Sequence, residues 1–309
     1  MQFYVGIDLG GTFIKGGLVS DRGEILKFER VPTRVQDGSA VILSDLDKMI
    51  ETLVKGLKGK LMGIGIGIPG LVDSKRENVV IAPNLGWKNV EVADALKEKY
   101  ACPVVLANDA NAAGLGEAKF GSGAKYDSSV FLTLGTGVGS AIILNGKLFE
   151  GNCSAGGEVG HMIIRAGGNQ CACGRCGCYE TYASATALIR ETKKAMLENR
   201  TSKMWEIKSV DNVCGKTPFD YYNTDETAKK VVDEYVENLT IGILNVANIL
   251  RPQAILLGGG IAKQGKFLTE KVDRLLKQWI YAGELGPEVK ILTATLDEAG
   301  VIGAASLNM

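Results

Sequence analysis

The sequence holds 309 residues, 46% of them hydrophobic, with Lys plus Arg equal to Asp plus Glu at 35 each. That length and apolar share supply more than one hydrophobic core, so a multi-domain globular protein is expected. Balanced charge gives no global field to draw the chain to nucleic acid or an anionic membrane, and no run approaches the ~18 uninterrupted apolar residues of a spanning helix. The start, MQFYVGIDLGG, goes straight into a strand pattern with no signal-like segment, which predicts a cytoplasmic protein with a small-molecule partner.

In chain order, residues 3–8 predict a strand, a Gly turn follows, residues 13–20 predict a second strand, and a third begins at Glu24 after the turn Asp21-Arg22-Gly23. Residues 39–57 have a helical period, 61–68 read as a buried strand, 90–100 as a helix and 104–107 as a strand. The opening order then returns: a strand at 130–134, the turn GTGVG, a strand at 140–144, the hairpin signal Asn145-Gly146, and a strand at 147–149. Setting Asp8 on Thr133 gives an offset of 133 − 8 = 125, which also sets Gly10 on Gly135 and Leu18 on Ile143 without a gap. The two segments read as copies. A helix at 225–250, a strand at 254–257, a helix at 265–279 and a strand at 290–294 complete the second of two α/β halves. Many of the 40 glycines fall in GGT, GIGIGIPG, GTGVG and GGGI, each beside a β-rich run, and read as ligand loops. Residues 203–219 carry no readable motif.

In Asp8-Leu9-Gly10-Gly11-Thr12 a carboxylate ends an apolar strand, glycines open the backbone to an anion, and Thr12 and Lys15 add a hydroxyl and a cation. Asp8 beside a phosphate requires a divalent cation between them, and Mg²⁺ prefers carboxylate, water and phosphate oxygens. The pattern is neither G-x-x-x-x-G-K-[ST] nor G-x-G-x-x-G after a strand. Two facing Gly-rich turns would offer two sets of N–H groups to a polyphosphate. One glycine alone would read as a hairpin residue, but the duplication shifts the balance. The strand at 104–107 leads into Asn108-Asp109 and a helix start, so Asp109 is held ionised by local dipoles, as a base for phosphoryl transfer must be. Asp is also a preferred helix cap, and it is the neighbouring motifs that favour the base.

His161 ends Gly156-Gly157-Glu158-Val159-Gly160-His161, and Cys171, Cys173, Cys176 and Cys178 follow in a Gly-rich run that closes on Tyr179-Glu180. Thiols at this spacing with few apolar neighbours point to zinc, not to packed free cysteines. Five candidate ligands compete for four places, so four thiolates, or histidine with three thiolates, both remain open on the residues alone.

These residues resemble the superfamily of sugar kinases, heat-shock chaperones and actin: DLGGT is similar to its first phosphate loop, GTGVG to its second, and Gly258-Gly259-Gly260 after AILL to its adenosine loop. Within it the chain resembles the ROK family (repressors, open reading frames and sugar kinases) along essentially its whole length. The most specific elements are C-x-C-G-x-x-G-C-x-E, met by 171–180, and G-E-x-G-H ending in His161. The resemblance implies an α/β protein of two duplicated actin-like (ribonuclease H-like) ATPase domains around a central cleft. Residues 1–113 plus 297–309 would form the first domain, and 114–296 the second, which carries the zinc loop.

It implies that ATP and Mg²⁺ meet Asp8, Gly10, Gly11, Thr12, Lys15, Gly135, Thr136, Gly137, Gly258, Gly259 and Gly260. It implies Zn²⁺ on His161, Cys171, Cys173 and Cys178, with Cys176 in a variable position, and hexose hydroxyls on Gly70, Asn84, Asn108, Asp109, Glu158, His161 and Glu180. One imidazole nitrogen would face the metal and the other the sugar. The activity implied is ATP-dependent phosphorylation of a hexose, glucose first, then fructose, mannose, allose or an N-acetylhexosamine, with Asp109 as general base. The rival is a sugar-responsive transcriptional regulator, since part of the family carries a helix-turn-helix ahead of its sugar-binding body. A chain that opens on its first strand with neutral charge is expected not to bind DNA. A sensor without turnover would have lost an acid or a loop residue, whereas Asp8, Thr12 and Asp109 are present. A homo-oligomer, dimer or tetramer, is expected.

Overall fold

The computed structural model describes residues 2–309, with Glu284 described by its backbone alone. Contacts divide the chain into two compact units: Met1–Val130 with Ala141–Gly157 and Thr295–Met309, and Phe131–Ser140 with Glu158–Ala294. The first half of the chain runs β1 (Phe3–Leu9), β2 (Phe13–Ser20), β3 (Ile25–Pro32), α1 (Ser39–Val54), β4 (Leu61–Ile68), β5 (Leu71–Val72), β6 (Asn78–Ala82), β7 (Trp87–Glu91), α2 (Ala93–Tyr100), β8 (Val104–Asn108) and α3 (Asp109–Phe120). The second runs β9 (Ser129–Leu134), β10 (Val138–Leu144), β11 (Lys147–Phe149), α4 (Glu180–Ala183), α5 (Ala185–Glu198), α6 (Thr217–Asp220), α7 (Glu226–Leu250), β12 (Ala254–Gly258), α8 (Lys266–Trp279), β13 (Lys290–Thr293) and α9 (Ala299–Ser306). No helix among the described residues is long and apolar enough to cross a membrane.

The duplication read from the sequence is present as topology. One five-stranded sheet has the order β3-β2-β1-β4-β8 and the other β11-β10-β9-β12-β13, the same order in terms of each segment's own strands. In the first sheet β1 pairs antiparallel with β2 and parallel with β4, which pairs parallel with β8.

Period-two alternation builds the first sheet's two faces. Val5, Ile7 and Leu9 of β1 join Ile64, Ile66 and Ile68 of β4 in the core that Ile42, Leu46, Ile50 and Leu53 of α1 cover. Tyr4 on the opposite face joins Val19, Val301 and Ala305. Here Gly63 and Gly65 of GIGIGIPG are a correction to the sequence reading. They lie inside β4, where a Cβ at Gly63 would meet the Asn308 side chain and one at Gly65 the Ala304 carbonyl, as one at Gly6 of β1 would meet the Val301 carbonyl. They are absent side chains that let α9 lie directly on β1 and β4.

Two further expectations change. The helix expected over 90–100 starts at Ala93, because Trp87–Glu91 is β7, paired antiparallel with β6. Val90, Ala93, Leu96 and Tyr100 have helical spacing, yet Val90 is taken by its cross-strand partner Val79. The unread stretch 203–219 contains short 3₁₀ turns that insert Met204 and Val213 beside Met196 and Ala228, with Trp205 packed against them, a satellite core under α5 and α7. In the second unit Asp225 caps α7, its carboxylate accepting from Ala228 N at 2.7 Å, and Val232, Tyr235, Val236, Leu239 and Ile243 bury one face.

Candidate active site and metal centre

In the first unit the expected residues gather at the carboxyl ends of parallel strands, where open α/β sheets hold their ligands. Asp8, next to last in β1, lies opposite Gly67 of β4, and Ile68 of β4 is opposite Asn108 at the end of β8. The first turn of α3 packs on Gly67, whose built Cβ would lie 3.5 Å from the Asp109 Cα. Asp8 and Asp109 therefore flank the same glycine. The cap of α3 falls to Asn108, whose Oδ1 accepts from Ala110 N and Asn111 N at 2.9 and 3.2 Å. Its Nδ2 donates to the Gly70 carbonyl at 3.3 Å, so two candidate sugar residues are bonded to each other. Asp109 is the first helical residue, and its Oδ1 accepts from Ala110 N at 2.8 Å.

The first Gly-rich turn is braced by Thr33, which the sequence reading missed: its Oγ1 donates to the Gly10 carbonyl at 2.7 Å and its N to the Thr12 carbonyl at 2.9 Å. Gly11 lies beside Asn84, in the turn Pro83–Leu85. Lys15, expected to face phosphate, is paired with Glu298 at 2.8 Å. Burial raises the Asp8 pKa above the ordinary carboxylate range; Lys15 opposes the shift and Glu298 adds to it.

In the second unit, Gly135 of the turn after β9 donates its N–H to the Gly137 carbonyl at 3.1 Å and accepts from Ala185 N at 2.8 Å. Gly259, at φ 84°, passes so close to Leu134 that a Cβ would sit 2.6 Å from its carbonyl oxygen, which puts the third Gly-rich turn against the end of β9. Glu158 is exposed, and its carbonyl accepts from His161 N at 3.1 Å.

His161, Cys171, Cys173 and Cys178 come together, with their ligand atoms all within 4.8 Å of one another. Cys171 Sγ is 3.8 Å from His161 Nδ1, and the Cys173 and Cys178 sulfurs are 3.6 Å apart. A tetrahedron of zinc–sulfur bonds of about 2.3 Å has edges of about 3.8 Å, so the donor set fits zinc in both type and spacing. Cys176 is outside the cluster and donates to Gln170 Oε1 at 3.1 Å. Gly174 and Gly177, both at φ 89°, make the two sharp turns that bring the thiols inward. Burial pushes the Cys171 thiol up to about 12, while the Arg175 N–H, and then Cys171, pull Cys173 down to about 6.

The cluster is docked on α7 by two aromatic residues that flank it in sequence or space. The buried Tyr179 donates its hydroxyl to the Leu239 carbonyl at 2.8 Å, and Tyr235 donates to the Ala183 carbonyl at 2.8 Å. Between them, Glu180 opens α4 with Oε1 3.0 Å from Cys171 Sγ and 3.6 Å from His161 Nδ1.

Two five-stranded sheets of duplicated strand order, with a glycine-rich turn after the first strand of each, define the class of actin-like ATPases. The family model described as "ROK family" matches residues 4–309, and the chain belongs to that family. A glucokinase of Halalkalibacterium halodurans is 36% identical over 99% of this chain and 94% of its own length. The crystal structure of a ROK family glucokinase from Streptomyces griseus in complex with glucose and AMPPNP superposes with a TM-score of 0.84 at 32% identity, covering 99% of this chain and 98% of that one. A xylose repressor of Caldicellulosiruptor bescii is 32% identical over 98% of this chain and 77% of its own length.

Proposed function

We propose that this protein transfers the γ-phosphoryl group of ATP to a hexose, glucose before fructose, mannose, allose or an N-acetylhexosamine. The observation that carries the reading is the placement of Asp8 and Asp109 around Gly67 at the carboxyl edge of a parallel sheet, with Asn108 taking the helix cap. Asp109 accepts the proton of the sugar hydroxyl as its oxygen attacks the phosphorus, and Asp8 would hold Mg²⁺ through water. Magnesium, when bound, supplies charge compensation for the phosphate oxygens. A buried carboxylate of raised pKa beside a Gly-rich turn fits that role.

Gly10, Gly11, Thr12, Gly135, Thr136 and Gly137 cradle the phosphates, and Gly258, Gly259 and Gly260 the nucleoside. Lys15 acts through its Glu298 pair. Gly70, Asn84, Asn108, Glu158, His161 and Glu180 orient the hexose, because a site of hydrogen-bond partners rejects analogues that lack a hydroxyl. His161, Cys171, Cys173 and Cys178 would hold Zn²⁺. The His161 Nδ1 faces Cys171, and its Nε2 is then the nitrogen available to the sugar. Zinc, when bound, supplies the closure that fixes the loop.

Asp109→Ala should retain hexose and zinc while ADP release falls by a factor of about 10²–10⁴; turnover at the parent rate would leave Asp109 as a helix residue only. The same assay across a hexose panel ranks the sugars. Chelation that strips zinc should weaken hexose affinity more than ATP affinity, and equal losses would mean general unfolding instead. The xylose repressor relative supports a second reading as a sugar-responsive regulator. Specific DNA retention at physiological salt, without turnover, would select it.

A cytoplasmic location is in keeping with seven cysteines that are all free. A homo-oligomer is in keeping with the exposed Ile249, Tyr281 and Leu285 around Arg251, and sedimentation reads its state.

A further inference from the structure

Gly137 has a φ outside the left-handed region, so its backbone is open to alanine. The space beside its Cα is nevertheless taken. A Cβ built there would overlap Oε2 of Glu180, and among the described residues beyond its chain neighbours the one other atom within 4 Å is Cδ of the same carboxylate, at 3.6 Å. Gly135, two residues earlier in the same turn, has no atom of the described residues within 4 Å of its built Cβ beyond its chain neighbours. The far side of the carboxylate is occupied as well, since Oε1 meets Cys171 Sγ at 3.0 Å and His161 Nδ1 at 3.6 Å. Glu180 is wedged between the second Gly-rich turn and the metal ligands.

We propose that Gly137 is a positioning residue for Glu180: its missing side chain fixes where the carboxylate meets the hexose, so this turn sets sugar affinity as well as contacting nucleotide. The inference rests on the reading of Glu180 as a hexose ligand. A residue that served the phosphates alone would be felt only by ATP. A residue that places Glu180 is felt by the sugar with no nucleotide present.

The test measures glucose binding by calorimetry without nucleotide, on the zinc-loaded full chain, for the parent, Gly137→Ala, Glu180→Asp and the double variant, with ATP affinity and zinc content alongside. Gly137→Ala should weaken glucose by about tenfold or more with no nucleotide present, as misplacement of a binding group by an ångström does, whatever its effect on ATP. Glu180→Asp withdraws the carboxylate by one methylene, so adding Gly137→Ala to it should change glucose affinity little. The proposal is overturned if Gly137→Ala binds glucose as the parent does, or if the two losses multiply in the double variant. Should Gly137→Ala alone not fold, a folded double variant with the affinity of Glu180→Asp supports the proposal, and an unfolded one overturns it. Glu180→Gln with parent-like glucose affinity would instead remove the hexose role of Glu180, a separate failure.

Discussion

Asp8 illustrates what a single carboxylate costs where it is useful. Its side chain lies against Gly300 at the start of α9, and burial raises its pKa. The folded state then binds the proton more tightly than the unfolded chain. Its contribution to stability is present below the unfolded Asp pKa and is lost as pH rises through the raised folded value, so at neutral pH an ionised Asp8 is a net cost. Asp8→Asn should therefore melt above the parent in metal-free buffer at pH 7, by on the order of a degree or two, while turnover collapses; calorimetry showing a lower midpoint would refute the cost. Asp8, Asp109 and the thiol cluster could be read from sequence because each sits in a contiguous strand-end or Gly-rich word. Glu298 could not, because its partner Lys15 is 283 positions away. Nor could Glu117, a buried acid of α3 that accepts from Thr295 N and Leu296 N at 2.9 and 2.7 Å. Nothing in the local sequence of either acid announces a partner at the other end of the chain.

At the scale of elements, α7 matters to the site although it carries none of its residues. Tyr179 rests on Gly242 of α7, where any Cβ would overlap the ring, and its hydroxyl is bonded one turn earlier at Leu239. Gly242→Ala should cost about 1–3 kcal/mol of unfolding free energy through overpacking. It should also loosen retention of the proposed zinc, because Cys178 and Glu180 bracket Tyr179; denaturant midpoints and metal analysis check the two effects together. The helical period of α7 and the apolar runs of β4, β8 and β12 were plain in the sequence, since each buries a regular face. The sheet of β5, β6 and β7 was not, because its strands are short and the Val90 spacing also suits a helix. The 3₁₀ turns that place Met204 and Trp205 have no period at all.

For the whole molecule, the repeat found in the sequence is the repeat of the fold: Leu9 and Leu134 end β1 and β9, 134 − 9 = 125, and Phe13 and Val138 begin β2 and β10, 138 − 13 = 125. The tight seat of α9 was not legible, because Gly65 reads with the loop glycines and nothing in sequence beside Gly6 or Gly303 announces the close approach there. Gly303 of α9 is close enough to α3 that a Cβ would collide with the Ala112 carbonyl, and Gly6 and Gly65 form its bed on the sheet. This seat has a consequence for biosynthesis. The strands of the first unit are translated long before α9, the helix that covers one face of their sheet. Until that helix emerges, the glycine-lined face of the sheet waits uncovered in the nascent chain.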